Sequence, residues 1–154
     1  MQGLGSTITV KIDGEQTAGR YAVIEGVSPV DGGPPLHIHC SEDELFSVQK
    51  GEGECQLGKQ HVRARAGSVA CLPQHVPQTF RNVGATPSKV LVVILPARFG
   101  GFFDDIHALV QPTPEQLEAL EQKYEVHRFR SCPSWLRRIP STQASGNMPA
   151  IPPS

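Results

Sequence analysis

Two histidines stand one residue apart at His37 and His39, and Glu44 follows five residues after the second. Residues i and i+2 of an extended strand share a face, so both imidazoles point the same way and can take adjacent positions around one ion. Glu44 opens the next apolar run, in which Glu44, Phe46 and Val48 share a face. If that face is the inner one, the carboxylate looks toward the histidines, with apolar wall beneath it. Two imidazoles and a carboxylate on one side of a divalent ion leave its remaining positions open for substrate or dioxygen. The ordinary alternative is a pair of surface histidines on an edge strand with a surface carboxylate nearby. That would suit a lone histidine; the His-x-His spacing, with Gly51 seven residues after Glu44, favours the metal. Cys40 adjoins His39, but neighbouring strand residues face opposite ways, so it points away.

Short β-rich runs must position these residues. Candidate strands are 6–12, 21–27, 36–40, 44–51, 53–58, 60–66, 68–73, 78–84 and 89–96, rich in Val, Ile, Leu, Phe and Thr. Turn signals separate them, among them Asp13-Gly14, Gly32-Gly33-Pro34-Pro35, Gly51-Glu52-Gly53 and Gly58-Lys59. Such punctuation reads as an all-β closed or double-sheet structure, which limits exposed edges. After Pro96 the character changes. The segment 97–110 is apolar enough to be a docking segment or short helix, and 113–126 reads as a helix. Thr113 suits the N-cap, Pro114 the first helical position and Gln116 the capping box. Leu117, Leu120 and Tyr124 form one apolar stripe for packing on the β-domain. The predicted organisation is a β-barrel over 1–112, a C-terminal helix and extension over 113–139, and a small, polar, Pro-rich flexible tail over 140–154. The segment 128–138, with four arginines and a tryptophan, reads as a solvated basic surface or an anion or partner contact.

The 154 residues fit one domain with one core. A net charge of −1 gives no basic field for nucleic acid or anionic membrane. No apolar run approaches a membrane span, and no charged-then-apolar leader opens the chain. Four cysteines without a C-x-x-C, and without an export signal, are expected as free thiols in a cytoplasmic protein.

At these residues the chain resembles the small single-domain cupins, of the quercetin dioxygenase-like kind. Their first motif, His-x-His, Glu, then Gly after six residues, falls on His37, His39, Glu44 and Gly51, with Asp31 where the leading Gly belongs. Their second motif keeps its frame at Gly67, Pro73 and Asn82. It departs at two positions: His75 stands where the family has Gly, and Gln78 where it has the fourth ligand, His. The resemblance covers about residues 6–96, with a Phe-rich segment and short helix after the barrel as a weaker likeness.

The resemblance implies a double-stranded β-helix, or jelly-roll barrel, holding one divalent metal ion (Fe, Mn, Ni or Zn), and a homodimer in which an N-terminal strand adds to the partner's sheet. It carries His37, His39 and Glu44 over as ligands. Gln78 offers an amide oxygen in place of imidazole, as a glutamine does in related sugar-isomerase cupins. His75 can instead supply the missing imidazole, or water can fill the position. The implied reaction is dioxygenation of a small chelating substrate such as a flavonol, diketone or enediol, with Glu44 as base and Phe46, His75 and Phe80 about the substrate pocket. The alternatives are a metal-dependent isomerase, cyclase or lyase using Glu44 as base, and a non-catalytic small-molecule binder.

Overall fold

A computed structural model describes residues 6–128. The basic run from 129 onward, Cys132 and the 140–154 tail lie outside the described residues. All nine expected strands form: β1 (Thr7–Ile12), β2 (Ala22–Ser28), β3 (His37–His39), β4 (Asp43–Lys50), β5 (Glu52–Leu57), β6 (Gln60–Arg65), β7 (Val69–Leu72), β8 (Gln78–Asn82) and β9 (Ser88–Leu95). A tenth, β10 (Val126–Arg128), was not foreseen. The strands make two five-stranded antiparallel sheets, ordered β1-β2-β9-β4-β7 and β10-β3-β8-β5-β6. This is the expected all-β jelly roll.

Alternation builds the interior. Strands β2 and β9 bury every second residue along their length. Ile24, Val92 and Ile94 of the first sheet thereby meet Cys55 and Phe80 of the second in one core. Each such aliphatic or aromatic side chain contributes roughly 1.5–3 kcal/mol of burial free energy. Two close approaches fix the shape. Gly51, at φ 82°, turns β4 into β5 in a left-handed conformation that a side chain strains. Gly53 leaves room for an aromatic ring: a Cβ there would lie 2.0 Å from Cε2 of Phe80.

After β9 a 3₁₀ turn (Ala97–Phe99) leads into α1 (Gly100–Ala108) and α2 (Pro114–Lys123). The expected capping box at α2 is present: Thr113 Oγ1 accepts from Gln116 N at 3.2 Å, and Gln116 Oε1 accepts from Thr113 N at 2.9 Å. The helix stops three residues short of the expected end at 126. Tyr124 is its C-cap and Glu125 takes a left-handed φ of 53°, which turns the chain into β10. The predicted stripe packs inward, with Tyr124 in the core and Leu120 against it. Asp105 of α1 holds the junction by accepting from Lys123 Nζ (2.6 Å) and the Tyr124 hydroxyl (2.7 Å). No helix among the described residues is long and apolar enough to cross a membrane. Cys55 and Cys71 are free thiols, as expected.

Candidate metal centre

Strand β3 is three residues long and lies between β8 and β10. His37 faces Gln78 of β8 and Arg128 of β10, while His39 faces Val126. Glu44 comes from the other sheet, where it pairs with Leu72 and Ile94. The site is therefore assembled across the barrel interior, one sheet supplying the imidazoles and the other the carboxylate.

Three donor groups converge. His37 Nε2 lies 3.1 Å from His39 Nε2, and His39 Nε2 lies 3.4 Å from Glu44 Oε1. All three ligating atoms fall within 4.8 Å of one another. Donors bound to one ion at about 2.1 Å sit about 3.0–3.4 Å apart at octahedral to tetrahedral angles. The two short separations match neighbouring positions of a single coordination shell.

The tautomers suit ligation. Pro35 O accepts from His37 Nδ1 at 2.8 Å. That bond places the proton on Nδ1 and leaves the Nε2 lone pair facing the cluster. His39 Nδ1 is buried with no hydrogen-bond partner, and Glu42 Oε2 lies 3.8 Å from it. Glu42 is fully buried, and neither of its oxygens has a hydrogen-bond partner. It stands where an outer carboxylate steadies a metal-bound histidine. Sequence reasoning overlooked Glu42, although it shares parity with Glu44 two residues on. Its turn is tied down at Glu125, whose carbonyl accepts from Cys40 N at 3.0 Å and whose carboxylate takes the Ser41 hydroxyl and Arg98.

Burial sets the protonation of this cluster. It lowers the pKa of His37, against the raising effect of the Pro35 bond. It lowers that of His39 well below 6.5, helped by the charge of His37. It raises Glu44 to about 8, with Glu42 adding to the rise and the Gln78 hydrogen bond opposing it. It raises Glu42 to about 7, with Arg98 opposing and Glu125 adding. Without a cation the site thus favours neutral groups, and a divalent ion supplies the charge that ionised Glu44 needs.

The cluster lies at the wall of a cavity of about 810 Å³, to which His37, Glu44, Phe46 and Phe80 all contribute. Phe46 and Phe80 stack at 5.7 Å between centroids, so they are cavity wall and core at once. Phe99 meets His39 edge to face at 4.4 Å and, with Phe102 and Phe103, brings the helical segment over the cavity. The sequence motifs did not single out Phe99.

Residues 23–94 match the cupin domain family Cupin_2. The barrel is a cupin domain. Among curated proteins it is similar to an uncharacterized protein of Methanocaldococcus jannaschii, 25% identical over 77 residues that cover 50% of this chain and 62% of that one. The chain thus matches less than two thirds of that relative's length. Among solved structures it is similar to a predicted oxalate decarboxylase from Thermotoga maritima, with 22% identity, a TM-score of 0.57, and 59% of this chain and 80% of that chain covered. It is also similar to KdgF from Halomonas sp., with 17% identity, a TM-score of 0.56, and 62% and 82% covered. At these identities the structural likeness speaks for the fold alone.

The second cupin motif separates into two kinds of residue. Asn82 is fully buried: its Nδ2 donates to the carbonyls of Ser28, Pro29 and Thr86 at 2.9–3.1 Å, and its Oδ1 accepts from Gly84 N. It knots loops together. Gln78 is 1% exposed and faces the site, donating through Nε2 to Glu44 Oε2 at 3.0 Å while its Oε1 has no partner. His75 lies neither in the ligating cluster nor on the cavity wall among the described residues. Its turn is fixed by a φ of 65° and by its main-chain N–H, which donates to His39 O at 2.7 Å.

Proposed function

We propose that this cupin is a mononuclear metal-dependent dioxygenase for a small oxygenated substrate that chelates the ion, of the flavonol, diketone or enediol kind. The convergence of His37 Nε2, His39 Nε2 and Glu44 Oε1 at the wall of an apolar cavity carries this reading. The donor set suits Fe, Mn, Ni or Zn, and the orphaned Gln78 Oε1 fits a further contact to the ion or to the substrate. A divalent ion held there supplies Lewis acidity to a chelated hydroxyl and an open position for dioxygen.

The residues of the chain do the rest. Phe46 and Phe80 hold a flat substrate body against the wall. Glu44 accepts the hydroxyl proton as the substrate enters, and Gln78 Nε2 steadies the carboxylate that does so. The apolar lining excludes water, which protects an electron-rich enolate from reprotonation. Both atoms of dioxygen enter the product, so no external reductant is consumed.

A second reading uses the same proton transfer without oxygen, as in isomerase, cyclase or lyase chemistry. The direct bond between Gln78 and Glu44 favours it, because it keeps a proton carrier poised inside the cavity. The test is metal content of protein purified without chelators, then oxygen uptake with quercetin and with pentane-2,4-dione. About one transition metal per chain with stoichiometric oxygen uptake supports dioxygenation. Bound metal with substrate turnover but no uptake supports the second reading, and no metal sinks both.

A further inference from the structure

The cavity has a second polar end. Ser6, just before β1, and Ser28, the last residue of β2, both line it. Each is 6% exposed, and their hydroxyls lie 2.8 Å apart. Two hydroxyls bring two O–H donors, and the bond between them uses one. No other side-chain hydrogen bond reaches either hydroxyl among the described residues. One proton and several lone pairs therefore stay open on a buried wall. Ser88 stands opposite Ser28 in the β2–β9 pair, and its Oγ is also buried without a partner. The row holds three hydroxyls with one hydrogen bond among them.

The lining between this pair and the metal centre is apolar. Ile24, Phe46, Val90 and Val92 come from one sheet and Phe80 from the other. The two polar ends are four residues apart along β8, from Gln78 against Glu44 to Asn82 against the Ser28 carbonyl. Along β9 they are six apart, from Ile94 opposite Glu44 to Ser88 opposite Ser28. Those are about 13 and 20 Å of strand, and side chains reaching in from both ends leave about two linked aromatic rings between them. A serine pair bridging neighbouring strands on a wet sheet face is ordinary sheet chemistry. On an apolar wall its open O–H costs free energy until an oxygen meets it.

We propose that Ser6 and Ser28 form a distal subsite that reads a phenol hydroxyl, and that the ligand of this cavity is an aromatic compound with oxygen at both ends. Its chelating oxygens face His37, His39 and Glu44, its rings lie between Phe46 and Phe80 and the valines, and its far hydroxyl meets the serines. That hydroxyl donates to one serine and accepts from the other. A ligand without it leaves a buried serine proton unmet, and a site built to hydrogen-bond an oxygen discriminates on that ground. This deepens the proposed function by naming the far end of the ligand, and it rests on that reading only for the chelating end.

The experiment compares two flavonols that differ only at the far end, 3,4'-dihydroxyflavone and 3-hydroxyflavone, by fluorescence titration of the full chain. Each titration is run on chelator-treated protein and again with Zn(II), an ion without redox chemistry. Wild type should bind the dihydroxy compound roughly fivefold tighter in both conditions, the worth of one net hydrogen bond. Ser6→Ala and Ser28→Ala should each shrink that preference, and the double variant should abolish it. All variants should bind 3-hydroxyflavone near wild-type affinity. Should the double variant fail to fold, the two single variants decide. Equal binding of the two flavonols by wild type, a preference that survives the double variant, or one that neither single variant changes overturns the proposal. Zn(II) should tighten both flavonols by the same factor. A serine-dependent preference without any Zn(II) effect removes the proposed function and leaves the distal subsite standing; a Zn(II) effect without the preference does the reverse. Binding of neither flavonol removes both.

Discussion

Gln78 and Glu44 are joined across the barrel interior: Gln78 Nε2, on one sheet, donates to Glu44 Oε2, on the other, at 3.0 Å. The same amide leaves Oε1 buried without a partner. One side chain thus steadies the Glu44 carboxylate and keeps a neutral oxygen donor in reserve. Replacing it with imidazole gives up the first role and strengthens the second, because imidazole suits the ions this site fits. Gln78→His is expected to tighten Mn(II) or Zn(II) roughly tenfold or more, on the scale of shell changes at metal sites. Titration calorimetry reads this directly. Unchanged affinity would mean that position 78 is beyond the reach of the ion.

Removal of a ligand has a different signature from removal of a core residue. His39→Ala should lose most bound metal while circular dichroism still reports the barrel, since the jelly roll is built from two sheets whose core lies mainly elsewhere. Metal content measured by elemental analysis checks it. Metal retained at the wild-type level would show that the ion binds somewhere else.

Glu42 faces the Nδ1 edge of His39, whereas His39 Nε2 faces Glu44. Both Glu42 oxygens and His39 Nδ1 lack hydrogen-bond partners, and 3.8 Å separates Oε2 from Nδ1, a gap that a small approach would close. Outer carboxylates of this type are worth roughly 10–100-fold in metal affinity. Glu42→Gln should weaken binding by about that much, and Glu42→Ala by no less. Identical affinities in wild type and both variants would reduce Glu42 to a buried charge without function.

The protonation of the cluster sets a pH profile for the metal-free protein. Glu44 and Glu42 have folded pKa values raised from 4.5 to about 8 and about 7, so their stabilising contribution is present below 4.5 and lost as pH rises toward those values. His37 and His39 have lowered values, so their contribution is present above 6.5 and lost as pH falls below it. Below 6.5 the imidazole contribution, which grows as pH rises, opposes the carboxyl loss. Above 6.5 only the carboxyl loss remains, at about 1.4 kcal/mol per proton per pH unit. The melting temperature of chelator-treated protein should therefore fall from neutral to mildly alkaline pH. Metal-loaded protein should not follow it, because the ion holds Glu44 ionised and affinity grows as protons leave. Differential scanning fluorimetry with and without Mn(II) compares the two curves; parallel curves would count against Glu44 as ligand.

Much of this was legible in the chain because its signals are local. Parity alone placed His37 beside His39 and put Glu44, Phe46 and Val48 on one face, which the fold turns toward the histidines. Thr113, Pro114 and Gln116 announced the start of α2. What escaped depends on contacts far apart in sequence. Strand β10 has three residues and no alternation long enough to see, and it exists because β3 offers it an edge. The early end of α2 follows from the turn at Glu125 that serves this pairing. Glu42 is buried in a turn that is tied to Glu125, a residue far away in sequence. His75 shows the opposite limit: its residue type suggested a ligand, and the cluster formed by His37, His39 and Glu44 does not include it.

Two positions test the frame apart from the chemistry. Asn82 satisfies three carbonyls and accepts one N–H while fully buried, so Asn82→Ala strands several polar groups at once. The expected loss is roughly 2–4 kcal/mol, from stranded groups that each cost about 1–3 kcal/mol. At Gly53 the added methyl must displace the Phe80 ring, which is 2% exposed and stacked on Phe46. Overpacking of this kind costs about 1–3 kcal/mol. The two variants should differ in the site. Gly53→Ala moves a cavity wall and should change aromatic ligand binding, whereas Asn82→Ala, away from the cavity, should leave ligand and metal affinity near wild type in the folded fraction. Urea titration gives the stabilities and calorimetry the affinities. An Asn82→Ala protein that is folded, stable and yet unable to bind metal would place Asn82 in the chemistry instead of the frame.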